Sequence, residues 1–318
     1  MSLIDIKHSP IVEVLDILLK DRTTKRNIIW ATDAYSEFGD GFRDKDQIVS
    51  RDFIGAKSLI IRPRIEKSLE EQQNRTRKKA EVFTPAWLCN QMNNYCDSEW
   101  FGRTNVFNVE NDDNTWSTKE EQIEFPEGKT WKDYVLSTRL EITCGEAPFL
   151  VSRYDTATGI LIEPPKARIG LLDRKLRVIN ENVPLEDKDM WFEWCRKAYQ
   201  SSYGYEYQGE SLLIARSNLF LTFYDYYQER FGEEPSLKYA KEIAKIISWN
   251  LWQMDGLTDT VPLGKPFVET EFLSGDDILF GDSSLDDLGV GSDSEPVLCT
   301  IKNWKNRKTI TFKSCKEA

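Results

Sequence analysis

The apolar positions along the chain fall into short runs whose spacing shifts between helical and strand-like. Ile11 to Leu19 (IVEVLDILL) repeats apolar residues at three- and four-residue intervals, which predicts a helix, and a strand-like run at 27–30 (NIIW) follows a basic turn. SLIIRPR at 58–64 reads as a strand stopped by Pro63, and the charged stretch Ile65 to Ala80 as a helix or mobile segment. Thr84 then offers an N-cap and Pro85 a first helical residue for a helix that sets Trp87, Leu88 and Met92 on one face. Residues 101–138 show no clear period and predict loops with one short helix.

Leu140 to Tyr154 (LEITCGEAPFLVSRY) reads as a short strand, a tight small-residue turn and a helix from Phe149 to about Asp155. Such a junction gathers free backbone N–H groups and the positive end of a helix dipole, which suits a carboxylate-bearing ligand. Two amphipathic helices follow, in KARIGLLDRKLRVINEN and DKDMWFEWCRKAYQS. Tyr203 to Tyr207 (YGYEY) reads as a second strand ending near Glu206. Glu210 to Phe231 is a long helix, apolar on more than one side, that should pack against a sheet. After a helix at Leu237 to Ile247, Asn250 to Met254 gives a third strand that delivers Asp255 at its carboxyl end. Strands alternating with helices predict an α/β fold, in which ligands bind at the carboxyl ends of the strands. Cys144 with Gly145, Glu206 and Asp255 would then share one edge. VLCTIKNWKNRKTITF closes the chain with the alternation and turn chemistry of a hairpin, whose lysines and Arg307 either meet phosphate or keep an edge strand soluble.

Composition narrows the chemistry. At 318 residues with 40% hydrophobic content the chain can bury a substantial core as one large domain or two small ones. The single histidine, His8, removes Ser-His-Asp and Cys-His catalysis and His-ligated metal sites. Six cysteines without C-x-x-C spacing indicate neither a zinc site nor a disulfide framework. No apolar run is long enough to span a membrane and no signal pattern opens the chain, so a soluble, cytoplasmic protein is expected. The net charge of -11 is concentrated: Phe267 to Val297 holds nine acidic residues and no Lys or Arg, leaving -11 + 9 = -2 for the rest. That tract reads as a disordered or lid-like loop, with a nucleic-acid mimic as the alternative. Arg75, Arg77, Lys78 and Lys79 form a basic cluster, read first as a solvated helix face and second as phosphate contacts.

The order of FTP and helix, C-G turn, Y-G-Y-E with a long helix, and a strand ending in Asp resembles the amino-methylating DNA methyltransferases of the gamma arrangement, in particular proteins described as restriction endonuclease subunit M. The likeness covers roughly Glu81 to Leu257. It implies a Rossmann-like class I methyltransferase core at 81–267, with an addition at 1–80, the acidic loop at 268–296 and a terminal hairpin at 297–318. It also implies S-adenosylmethionine as cofactor, contacted by Phe83, Thr84 and Pro85 and by the turn residues Glu141, Cys144, Gly145 and Glu146. Glu206 would bind the ribose hydroxyls and Asp255 would lie near the adenine ring. A carboxylate inside the turn, Glu146, would repel the methionine carboxylate unless it points to the ammonium or sulfonium. The family's N-P-P-Y/F motif, which holds the target amine and stacks on the flipped base, is missing. Gly264, Lys265, Pro266 and Phe267 match it best in position and keep the second proline and the aromatic; Asn303 and Trp304 are a second candidate, and EPPK at Glu163 to Lys166 comes too early. The resemblance thus implies methylation of adenine N6 in DNA, with a specificity or catalytic protein partner. The missing amide motif and the acidic tract motivate the alternative of a noncatalytic methyltransferase-like subunit or antirestriction factor.

Overall fold

The computed structural model describes residues 3–53, 61–68, 72, 84–263 and 296–316. In chain order its helices are α1 (Leu15–Leu19), α2 (Ala86–Phe101), α3 (Trp131–Leu136), α4 (Leu171–Asn182), α5 (Lys188–Gln200), α6 (Gly209–Phe231), α7 (Leu237–Asn250) and α8 (Phe312–Lys316). Its strands are β1 (Asn108–Glu110), β2 (Trp116–Thr118), β3 (Arg139–Glu141), β4 (Ser202–Glu206), β5 (Leu251–Gln253), β6 (Thr300–Lys302) and β7 (Thr309–Thr311). The fold is mixed α/β. Strands β3, β4 and β5 form a parallel sheet in that spatial order, while β1–β2 and β6–β7 are antiparallel pairs.

Parallel neighbours need crossovers long enough to hold helices. Here α4 and α5 lie between β3 and β4, and α6 and α7 between β4 and β5. The apolar spacing that predicts these helices also marks what they bury: α5, α6 and α7 pack on β4, and α6 and α7 on β5, while α4 packs on α3, α5 and α6. Helix α6 has buried residues on every side, from Leu212 and Leu213 to Tyr226 and Tyr227, because α1, α4, α7 and the sheet surround it. The main core gathers on this face. A smaller cluster, Tyr205, Trp252, Met254, Cys299 and Phe312, covers the other face of β4 and β5 with the help of the terminal hairpin.

That second layer stops short of β3. Leu140 is 43% and Ile142 63% exposed. In the observed register, Arg139 and Glu141 turn their backbone groups toward β4, so those of Leu140 and Ile142 point outward. Parallel sheets are normally buried on both faces, and β3 departs from that rule on one face and along one edge.

One buried cation ties distant parts of the chain together. Arg216, in α6, donates to the carbonyls of Leu18, Lys20, Ser248 and Leu251, joining the end of α1, the end of α7 and the start of β5. Burial depresses its pKa to about 9, with the field of Asp21 acting the other way. Gln253 makes a second tie, accepting from Ile29 N–H and donating to the Ile29 and Tyr207 carbonyls.

One strand pair is unexpected and one expected helix is absent: β1 and β2 lie within 101–138, where the sequence predicts loops with one short helix. No helix runs from Phe149 to Asp155: the segment continues as turns to a bridge between Tyr154 and Leu161, and the next helix is α4. Tyr154 and Ser152 are drawn into buried hydrogen bonds with Glu146 and Asp173 that a continuous helix would not make. Of the strand expected of SLIIRPR, 58–60 lie outside the described residues, and 61–63 lead into a short 3-10 turn at Arg64–Glu66. The basic cluster at 75–79 and the acidic tract from 267 lie outside the described residues, apart from Pro296 and Val297.

Candidate functional site

The turn after β3 is shaped by its backbone. Thr143, Gly145 and Ala147 adopt φ of 45°, 53° and 64°, so left-handed residues alternate with ordinary ones. Glycine takes this conformation freely; Thr143 and Ala147 bear a steric cost of about 1–2 kcal/mol each. Alternation of this kind curls successive N–H groups into a concavity that favours an anion. Its anion here is internal. Gly145 N–H donates to Glu206 Oε2 at 2.9 Å, across from the end of β3 to the end of β4. The Glu146 N–H makes no hydrogen bond among the described residues.

Glu206 arrives there because β4 runs beside β3 in register, with Gly204 lying against Cys144. The other oxygen, Oε1, accepts from Gln208 N–H at 3.1 Å. Asp255 stands two residues beyond β5, bridged to Thr260, with Oδ1 accepting from Leu257 N–H at 2.9 Å. Burial and then the field of Asp255 raise the pKa of Tyr207, which places that carboxylate near the residue after Glu206.

The remaining turn acids face inward. Glu141 accepts from Phe149 N–H (3.3 Å) and Leu150 N–H (3.0 Å), and burial pushes its carboxyl up to about 8 against the effect of those two donors. Glu146 accepts from Arg64 N–H at 2.7 Å and from the Tyr154 hydroxyl at 2.6 Å. Its side chain leaves the turn altogether, so the expected clash with a bound carboxylate does not arise. Burial raises the Cys144 thiol, with Glu141 and Glu206 adding to the effect, and keeps it from acting as a thiolate. Since no helix follows the turn, the helix-dipole argument for anion binding also falls. The curled backbone is what remains.

Upstream, helix α2 begins at Ala86 with Pro85 as its N-cap, because Pro85 holds ψ at 151° and delays the helix by one residue. Thr84 therefore does not cap by its side chain; its carbonyl accepts from Thr156 Oγ1 at 3.0 Å. The α2 end is close to the turn, as Glu141 and Asp155 add to the burial that raises the Cys89 thiol. Among the described residues no hydrogen bond joins Thr84 to Gly145, Glu206 or Asp255. Phe83, Pro266 and Phe267 lie outside the described residues. Asn303 and Trp304 sit in the β6–β7 turn, with Trp304 Nε1 donating to Asn250 Oδ1 at 2.7 Å, on the β5 side of the sheet and not beside β3.

No family model, curated protein or solved structure matches the chain. Geometry is therefore the guide. Among the described residues no group of three or more His, Cys, Asp or Glu side chains is arranged to hold a metal ion, and no helix is long and apolar enough to cross a membrane. A groove of about 500 Å³ lies elsewhere, lined by Glu120, Lys166, Arg177, Glu181 and Arg230 among others, and none of the strand-end residues lines it. Its charges largely neutralise one another, through Lys166–Glu120 at 2.7 Å and Arg177–Glu181 at 2.8 Å.

Sequence reasoning missed the residues that set the directions of these acids: Arg64 and Tyr154 around Glu146, and Asn218, whose Nδ2 donates to the Glu146 carbonyl and the Tyr154 hydroxyl. Asn218 was the findable one. An amide amid the apolar residues of α6 must meet polar partners inside the fold.

Proposed function

We propose that the chain is an S-adenosylmethionine-dependent methyltransferase subunit acting on adenine N6 in DNA. The observation that carries this reading is the contact of Gly145 N–H with Glu206 Oε2 at the carboxyl ends of adjacent parallel strands, with Asp255 following the third. A carboxylate at a strand end is the group that accepts from vicinal ribose hydroxyls, and an acid after the third strand suits the adenine edge. The cofactor would supply the electrophilic methyl group; transfer to an amine needs positioning and desolvation more than proton shuttling, so a chain with only His8 is chemically adequate. Pro266 and Phe267 remain the proposed contacts to the target base.

The test is calorimetric titration with S-adenosylmethionine, followed by transfer of labelled methyl groups to DNA. Saturable binding that Glu206→Ala weakens by roughly tenfold or more, together with label on adenine, is the expected outcome. Absence of cofactor binding would defeat the reading.

A second reading has its own support in the outer edge of β3, which pairs with no strand among the described residues. A noncatalytic subunit that keeps the cofactor fold while a partner polypeptide completes the sheet would need an edge of that kind. Cofactor binding without transfer, restored to transfer by a partner, would favour it.

A further inference from the structure

Three segments converge on the β6–β7 hairpin. The loop after α1 is fastened to β6 by the Thr300 N–H, which donates to Thr23 Oγ1 at 3.0 Å. This brings Arg22 to the end of α7, where its guanidinium donates to Ser248 Oγ at 2.6 and 2.9 Å and lies 5.7 Å from the centre of the Trp249 ring. Lys302 Nζ lies 5.5 Å from the Trp249 ring centre and 4.8 Å from that of Trp304. Lys245 stands one turn before Trp249 on α7, and Arg307 follows in the hairpin.

None of Arg22, Lys245, Lys302 and Arg307 forms an ion pair among the described residues. The acid beside Arg22 is Asp21, which is buried and accepts from the Thr23 and Thr24 N–H groups and the Thr24 hydroxyl. Burial, then Lys245, Arg22 and Arg307, lowers the pKa of Lys302, so the four cations share one field. Lys305 and Lys308 extend it along the exposed hairpin turn. The indole faces orient the cations without neutralising them, as a carboxylate would. In a chain of net charge -11 this is a concentrated positive surface whose cations repel one another until an anion is shared between them.

We infer that the surface made by Arg22, Lys245, Lys302 and Arg307 over Trp249 and Trp304 binds the phosphodiester backbone of duplex DNA. The indole faces already carry cations, so the contact is to phosphates and not by stacking of bases. Affinity should be strongly salt-dependent and little dependent on sequence. Choosing DNA among polyanions rests on the methyltransferase reading; the charge arrangement itself does not.

Fluorescence anisotropy with a labelled duplex and the full chain tests this. Lys302→Glu with Arg307→Glu should weaken binding by roughly tenfold or more and reduce the dependence of log K on log salt by about 2, while binding of S-adenosylmethionine stays unchanged. Lys302→Gln with Arg307→Gln, which imposes no charge reversal on the fold, should show a smaller loss in the same direction. Unchanged DNA affinity in both pairs overturns the inference. So does wild-type chain that ignores DNA but binds vesicles containing phosphatidylglycerol. DNA binding through this surface in a chain that does not bind the cofactor would leave the surface standing and remove the methyltransferase reading.

Discussion

Glu141 illustrates how a single side chain changes role once its surroundings are known. Placed in sequence where the resemblance implies a cofactor contact, it fastens the backbone of Phe149 and Leu150. Burial holds its carboxyl near 8, above the ordinary 4.5. Between these values the unfolded chain has released the proton that the native state retains, so this contribution to stability is full below about pH 4.5 and is lost as the pH rises through 8. Asp173, raised to about 6 by burial, acts in the same direction over a lower window. Glu141→Gln keeps an acceptor but cannot ionise. It should flatten the fall in stability from pH 5 to pH 8 by on the order of 2 kcal/mol, read from urea midpoints across that range. Gly145 and Glu206 were legible because a small-residue turn and a strand-terminal acid carry their own chemistry. The directions of Glu141 and Glu146 were not, since they depend on left-handed backbone at Thr143 and Ala147, residue types that do not advertise it.

At the level of elements, the four crossover helices and the three parallel strands were readable from apolar spacing, with boundaries shifted by a few residues at most sites. Periodicity works there because the apolar positions of these helices are the ones buried against neighbouring elements. It failed over 149–155, where apolar residues are spaced like a helix but the chain runs through turns tied to buried side-chain partners far away in sequence, such as Asp173 and Asn218. The unfinished edge at β3 was equally invisible, because Leu140 and Ile142 look like core residues in any sequence reading. Their exposure makes a prediction. Exposed strand edges with apolar side chains favour association. Sedimentation velocity should show wild-type chain associating as concentration rises, whereas Leu140→Lys with Ile142→Lys should stay monomeric. Because neither side chain supports the core, the melting temperature of the double variant should change by an amount corresponding to less than about 1 kcal/mol.

For the molecule as a whole, α/β character was accessible from the alternation of elements, and the positive hairpin surface was visible only as scattered Lys and Arg. Arg22 and Lys302 are 280 positions apart in the chain and meet over one indole only after folding. Arg216 is the corresponding feature of the interior. Replacing it with Met would leave carbonyls of Leu18, Lys20, Ser248 and Leu251 buried without their donor. The cost should be on the order of 3–5 kcal/mol, seen as a lower urea midpoint with the same cooperative transition. During synthesis, the guanidinium leaves the ribosome well after one set of its acceptors and before the other. The joint that Arg216 makes can therefore close in full only once Leu251 has emerged.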